Sequence, residues 1–347
     1  MPKKAIAAGH ICLDITPLFP GDKKGTPAEL LLPGKLLRMD GVDVHTGGSV
    51  ANTGLAMAFL GADVRLMGKV GDDDFGRMIL SILQRRGGSV EGMKVDPHAV
   101  TSYSVVLALP GQDRLFLHAP GANDTFTVGD VNFDGIADAD LFHFGYPPLM
   151  RRMYENGGAE LIELFRRVKE LGLVTSLDMA AIDPDSDAAK VDWRQLLGNL
   201  LPYVDFFLPS IEELCAMLGR PLNEKPEALA QELLQMGTKV VVIKCGEKGL
   251  YYQTGDVQIP GLREEDWSYR RGFQSAFPPE KLCSATGAGD TCIAAFLTAM
   301  LENRPLEDCV RLAAATGASC VEAYDALSGL KPFAELEEKI ARGWGKE

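Results

Sequence analysis

The residues Ser284-Ala285-Thr286-Gly287-Ala288-Gly289-Asp290 have the types and spacing to do chemistry. Gly287 and Gly289 leave backbone N–H groups bare to an approaching anion. The alanine-rich run that follows reads as a helix, whose first turn adds unpaired N–H donors and the positive end of its dipole. Asp290 at that junction has two readings. It caps an ordinary glycine turn, or it takes the proton from an attacking hydroxyl while Gly287, Ala288 and Gly289 cradle a transferring phosphoryl group. The run by itself does not choose between them.

Four other stretches carry the same kind of choice. Asp14 closes an apolar segment over residues 4–13, the place where an open α/β sheet lines its ligand crevice; it is a hydroxyl acceptor or a turn residue. Gly47 and Gly48 let backbone approach a ligand, and Asn52 offers both a donor and an acceptor, which suits sugar hydroxyls; tight helix packing would use the same small residues. Ser210-Ile211-Glu212-Glu213 is a helix cap with dipole-favoured glutamates, or an acidic site beyond a strand end. Lys244, Gly246 and Gly249 follow a β-branched strand, as a phosphate-contacting loop or a plain hairpin turn.

Composition narrows the classes. Hydrophobic residues at 46% and charged residues at 24% are those of a soluble globular chain. A net charge of −13 argues against a nucleic-acid or anionic-membrane partner, each of which needs a basic face. The cysteines are odd in number and contain no C-x-x-C pair, so a reducing, cytoplasmic setting is expected. The histidines show no metal-ligand spacing. The N-terminal apolar run is broken by Gly9-His10 and Asp14 and reads as a first strand rather than a signal peptide. No G-x-x-x-x-G-K-[ST] run is present, since Gly34-Lys35 is followed by Leu36, and no G-x-G-x-x-G follows the first strand.

The elements that must position these residues alternate regularly. Strands are expected over 141–145, 173–178, 203–208 and 239–245, and helices over 159–171, 211–218, 226–236, 306–321 and 333–342. Repeated β-α units imply a parallel sheet covered on both faces. Two stretches leave that pattern. Residues 17–45 combine prolines, a Gly-Asp-Lys-Lys-Gly run and an alternating Val42-Asp43-Val44-His45. Residues 101–108 and 114–119 flank a hairpin signal at Pro110-Gly111-Gln112-Asp113. Together they suit a small sheet over the cleft. Residues 263–277, with Trp267 and Tyr269, read as a solvated loop or as a segment that shapes a nucleotide pocket.

In chain order, Gly9…Asp14, Gly47-Gly48…Asn52, Gly68-Lys69-Val70-Gly71-Asp72-Asp73, Thr101, Gly121-Ala122-Asn123, Ser210-x-x-Glu213, Lys244-x-Gly246-x-x-Gly249 and Thr286–Asp290 resemble the ribokinase-like, or PfkB-type, carbohydrate kinases. The resemblance spans the whole chain. It implies one ribokinase-like domain over 1–347, a three-layer α/β/α core with a mostly parallel central sheet, and a small β lid formed by residues 15–46 and 99–120. It further implies transfer of the γ-phosphate of ATP, with Mg²⁺, to a hydroxyl of a small sugar or related polyol, and a homodimer through the lid.

Carried over by position, Asp290 resembles the catalytic base and Gly287, Ala288 and Gly289 the anion hole. Asp14, Gly47, Gly48 and Asn52 resemble the substrate site, Lys244, Gly246 and Gly249 the nucleotide loop, and Glu213 a residue that organises Mg²⁺ through water. Ser284 departs from an aspartate that in many members helps hold a monovalent cation, which leaves that cation open. Ser210 stands where asparagine is usual. Cys12 and Gly145 depart from ribose-specific members. A nucleoside kinase or a sugar-phosphate kinase on the same scaffold are the alternatives within the enzyme class, with Lys23, Lys24, Lys35 and Arg38 as cations for a phosphorylated acceptor. A non-catalytic sugar sensor and a dinucleotide-dependent dehydrogenase are the alternatives outside it.

Overall fold

Residues 3–21, 25–109 and 114–344 are described by the computed structural model of this chain. Its strands, in chain order, are β1 (Lys4–Gly9), β2 (Cys12–Leu18), β3 (Gly41–Gly47), β4 (Asp63–Gly71), β5 (Ser89–Asp96), β6 (Tyr103–Leu107), β7 (Leu115–Ala119), β8 (Leu141–Gly145), β9 (Val174–Asp178), β10 (Phe206–Phe207), β11 (Val240–Lys244), β12 (Gly249–Thr254) and β13 (Arg271–Ser275). Nine form one sheet in the order β13-β12-β11-β10-β9-β8-β1-β4-β5. The run from β11 to β5 is parallel, and β12 and β13 add an antiparallel edge.

Successive side chains of a strand point to opposite faces, so a sheet buried on both sides needs apolar residues at every position. Ala5 and Ala7 pack on one face with helices Ser49–Phe59, Ala288–Leu301 and Leu306–Cys320; Ile6 and Ala8 pack on the other with helices Ala159–Glu170, Trp193–Leu200 and Pro226–Gln235. The three-layer α/β/α architecture follows. Helix Ala288–Leu301 is apolar all round because it is buried on nearly every side. Among the described residues, no helix is long and apolar enough to cross a membrane.

A second, four-stranded sheet has the order β3-β2-β6-β7. The apolar segment over residues 4–13 is therefore not one strand. It leaves the large sheet at Gly9 and enters the small one at Cys12. Gly9 has φ 123°, and a Cβ there would stand 2.2 Å from the Gly145 carbonyl oxygen, so only glycine makes this crossing. Asn123 of the Gly121-Ala122-Asn123 motif fixes it: its Oδ1 accepts from the Ile11 N–H (3.2 Å) and its Nδ2 donates to the Ile11 carbonyl (2.9 Å). Asp73 serves a similar purpose, accepting from the Gly76 N–H at the start of helix Asp74–Arg85 and from the N–H and hydroxyl of Thr101. Several shared motifs thus hold the joint between the two sheets.

The stretch 263–277 is not a solvated loop. Trp267 is buried edge-on against Phe206 and Phe296, and Arg271–Ser275 extends the large sheet as β13. Burying an indole of that size outweighs the charged residues around it. The turn at 110–113, and Lys23 and Lys24, lie outside the described residues.

Candidate active site

The crevice lies at the carboxyl ends of β8, β9 and β11, where helix Ala288–Leu301 begins. Gly287 caps that helix with φ 75°, and a Cβ there would stand 2.1 Å from the Ala326 Cβ. The residue must be glycine on both counts. Asp290 sits in the first turn, 3% exposed. Its carboxylate is held from two elements. The Asn52 amide donates to Oδ2 at 2.9 Å and the Thr53 hydroxyl to Oδ1 at 3.4 Å, both from helix Ser49–Phe59. The Tyr146 phenol, just beyond β8, donates to Oδ1 at 2.7 Å and to Oδ2 at 2.8 Å. Burial pushes the Asp290 carboxyl above the ordinary range, opposed by the hydrogen bonds from Tyr146 and Asn52 and by the Lys244 charge.

Lys244 ends β11 with its ammonium 2.7 Å from Asp178 Oδ1 at the end of β9. The same ammonium is 3.6 Å from where a Gly289 Cβ would be, which puts a buried positive charge under the glycine turn. Burial works against that charge, but Asp178, Glu213 and Asp290 outweigh it and hold the lysine pKa above its usual value. Burial pushes the Asp178 carboxyl up to about 8, against the pull of Lys244. One ammonium thus stands among three carboxyl groups.

Glu213 and Ser210 form a reciprocal cap on helix Ile211–Leu218. The Ser210 N–H donates to Glu213 Oε2 at 2.6 Å and the Glu213 N–H to the Ser210 hydroxyl at 3.2 Å. The cap reading and the site reading both hold, because Glu213 also lines the crevice. Gly246 and Gly249 likewise serve two purposes. They belong to the hairpin between β11 and β12, with φ 57° and 124°, and they face the same space.

Two cavities flank the hydrogen bond between Asp290 and Asn52, the first lined by Asp290 and the second by Asn52. One, of about 820 Å³, is lined by Lys244, Glu213, Gly246, Gly249 and the turn Gly287–Asp290, with Leu250 and Phe277 as apolar wall. The other, of about 740 Å³, is lined by Asp14, Thr46, Asn52, Arg114 and Phe116. Asp14 is where it matters in this second space. Its carboxylate lies over Gly47, where a Cβ would be 2.2 Å from Oδ2, and it accepts from the Cys12 thiol at 3.3 Å. Gly48, at φ 88°, passes so close to His10 that a Cβ would be 2.5 Å from the His10 carbonyl oxygen. Every expected site residue therefore lines one of the two cavities, except Gly47 and Gly48, which back the second through Asp14 and His10.

Sequence reasoning missed three residues. Tyr146 reaches Asp290 from far along the chain, and Asp178 reads only as the last residue of a strand. Arg114, at the start of β7 in the small sheet, donates to the Ser284 hydroxyl, which also accepts from the Thr286 N–H at 3.0 Å. Its one available signal was its place beside a hairpin turn.

This arrangement suits a phosphotransferase: a buried carboxylate at a helix N-terminus, bare backbone donors and one cavity beside it, and a second cavity lined by its hydrogen-bond partner Asn52. A family model for pfkB family carbohydrate kinases matches residues 21–332. The chain belongs to that family. It is 25% identical to a fructokinase-2 from Oryza sativa subsp. japonica, covering 98% of this chain and 95% of that protein. Its fold is similar to that of a ribokinase from Arabidopsis thaliana solved with ribose and ATP (TM-score 0.73, 22% identity, 97% of this chain and 98% of that one). It is also similar to a structure described as a ribokinase II from E. coli in complex with ATP and Mg²⁺ (TM-score 0.76, 21% identity, 99% and 100% covered).

Proposed function

We propose that this carbohydrate kinase transfers the γ-phosphoryl group of ATP to a hydroxyl of a small neutral sugar, with Asp290 as general base. The observation that carries the reading is the position of Asp290, which lines one cavity and is held by Asn52 from the other, at the start of a helix whose first N–H groups are uncovered by Gly287 and Gly289. The residues present suit ATP. The turn Gly287–Gly289 offers backbone donors, Lys244 adds a buried positive charge, and Gly246, Gly249, Leu250 and Phe277 leave an apolar space for a base. ATP supplies the reactive phosphoryl group, and Mg²⁺ the charge that offsets its oxygens. Among the described residues, no set of three His, Cys, Asp or Glu side chains could hold a metal unaided, which suits an ion carried by phosphate and water with Glu213 behind it.

On the acceptor side, Asp14 anchors a hydroxyl, Asn52 holds Asp290 in place, and Asp290 receives the proton as the acceptor oxygen attacks. The small sheet acts as a lid over this space, following residues 15–46 and 99–120. The acceptor cavity is lined by Asp14, Asp43 and Asp325 against Arg86 and Arg114, three acidic groups to two basic ones. That balance favours a neutral polyol over a sugar phosphate, and neither Lys35 nor Arg38 lines the cavity. The aromatic wall of Phe19, Phe116 and Tyr324 supports a nucleoside as the second reading. The Arg114 contact at Ser284 supports independence from a monovalent cation.

The exposed β7 residues Leu115, Phe116 and Leu117 support a homodimer through the lid, which light scattering on the wild type and on Leu117→Glu tests. The unpaired cysteines support a cytoplasmic location. The deciding experiment is ADP release from Mg-ATP against pentoses, hexoses, ketoses, polyols, sugar phosphates and nucleosides. Turnover with one neutral sugar class is the expected result. Bound ATP with no responding sugar sinks the reading.

A further inference from the structure

Resting on that reading, we infer that Tyr146 guards the base, making Asp290 answer to a sugar hydroxyl rather than to water. The phenol donates to both carboxylate oxygens, at 2.7 and 2.8 Å, and with Asn52 and Thr53 fills the lone-pair positions that an attacking hydroxyl would need. Chemically it is an internal copy of the acceptor: one O–H aimed at the base. Burial, followed by the charges of Asp290 and Asp178, pushes the phenol above its usual pKa, so it remains a donor. Lys244 and Glu213 are the other charged groups that bear on Asp290, from β11 and from helix Ile211–Leu218, and neither is hydrogen-bonded to its carboxylate.

The phenol is also placed to leave. Tyr146 holds a left-handed backbone conformation, φ 69° and ψ 42°, at the junction of β8 with Pro147-Pro148, and its side chain borders the nucleotide-side cavity. A single water has no second hydroxyl to anchor elsewhere while it approaches Asp290, and so brings little with which to displace the phenol. A sugar gripped by Asp14 and the lid brings its hydroxyl to Asp290 with that binding behind it. In the leak that the phenol prevents, a water oxygen bonds to the γ-phosphorus as its bond to the bridging oxygen breaks. The water proton passes to Asp290, and ADP leaves.

The test compares acceptor-free ATP hydrolysis with sugar-dependent transfer in wild type, Tyr146→Phe and Tyr146→Leu, with ATP affinity measured on each. In Tyr146→Phe, acceptor-free hydrolysis should rise about tenfold, the scale of losing a hydrogen bond to a charged group, and Tyr146→Leu should leak similarly. A residue that only supported the fold would lower both rates together. Sugar-dependent turnover with unchanged or reduced acceptor-free hydrolysis in both variants overturns this inference alone. No sugar-dependent turnover in the wild type overturns the kinase reading and takes this inference with it.

Discussion

The cavities proposed for nucleotide and acceptor flank the Asp290–Asn52 hydrogen bond but are built from different material. The first is walled by the large sheet and its helices, where strand ends, a capped helix and glycine turns are buried between two extensive apolar clusters. The second borrows about half its wall from the small sheet, whose own apolar cluster among the described residues is Leu30, Leu107 and Leu109 with Phe19 and Val105 against them, while Leu13, Ile15 and Val44 tie its inner strands to the main core. Local stability follows buried apolar contact, so on the proposed reading the first serves as a fixed frame and the second as a movable one. The difference suits the chemistry. Anion donors must be in place before charge develops, whereas an acceptor must enter and then be enclosed.

Four measurements would sharpen or break that contrast. The largest effect belongs to the proposed base: Asp290→Asn should lower kcat by at least ~10²-fold with acceptor affinity retained, as loss of a general base does. Near-normal turnover would falsify the assignment of the base.

Next comes the fixed frame. Gly287→Ala puts a Cβ 2.1 Å from that of Ala326 at φ 75°, so kcat should fall about tenfold to 10²-fold through displaced backbone donors. Acceptor affinity should hardly move; an equal loss on both sides would show that the cavities are not separable.

On the movable side, Arg114→Ala should raise the acceptor KM by roughly tenfold and leave ATP binding alone, since the guanidinium joins β7 to Ser284 across the acceptor space. Ser284→Ala should add little to it in the double variant. Additive losses would mean the two side chains do not act together.

The smallest effect is on stability and its pH dependence. His143 is buried between the hydroxyls of Ser49 and Ser176, and burial, helped by the Lys244 charge, pushes its pKa down to about 3. A folded-state pKa below the unfolded value favours the native protein above about pH 6.5, and that advantage is lost as pH falls toward the folded value. Unfolding free energy from denaturant titration between pH 6.5 and 4 should therefore fall less steeply in His143→Gln, by up to about 1 kcal/mol per pH unit. Parallel curves would show that this histidine is not a source of acid sensitivity.

Much of the fixed frame was legible because its chemistry is local. Ser284–Asp290 holds cap, glycine turn and carboxylate within one short run, and Lys244–Gly249 is one hairpin. The stretch 263–277 misled because its charged residues mask Trp267, whose partners Phe206 and Phe296 come from other elements. The crossing at Gly9 was hidden for a different reason. An apolar run has the same pattern whether it stays in one sheet or changes sheets, and only the approach of Gly145 separates the two.

The sequence by itself determined the alternation of strands and helices, the glycines that demand left-handed or crowded backbone, and the carboxylate at the head of a buried helix, because those depend on neighbours a few residues apart. Only the tertiary structure decided that Tyr146 meets Asp290, that Lys244 pairs with Asp178 beneath Gly289, and that Arg114 crosses to Ser284. Those contacts join residues distant in the chain. Their partners are set by sheet order and register, which periodicity does not encode.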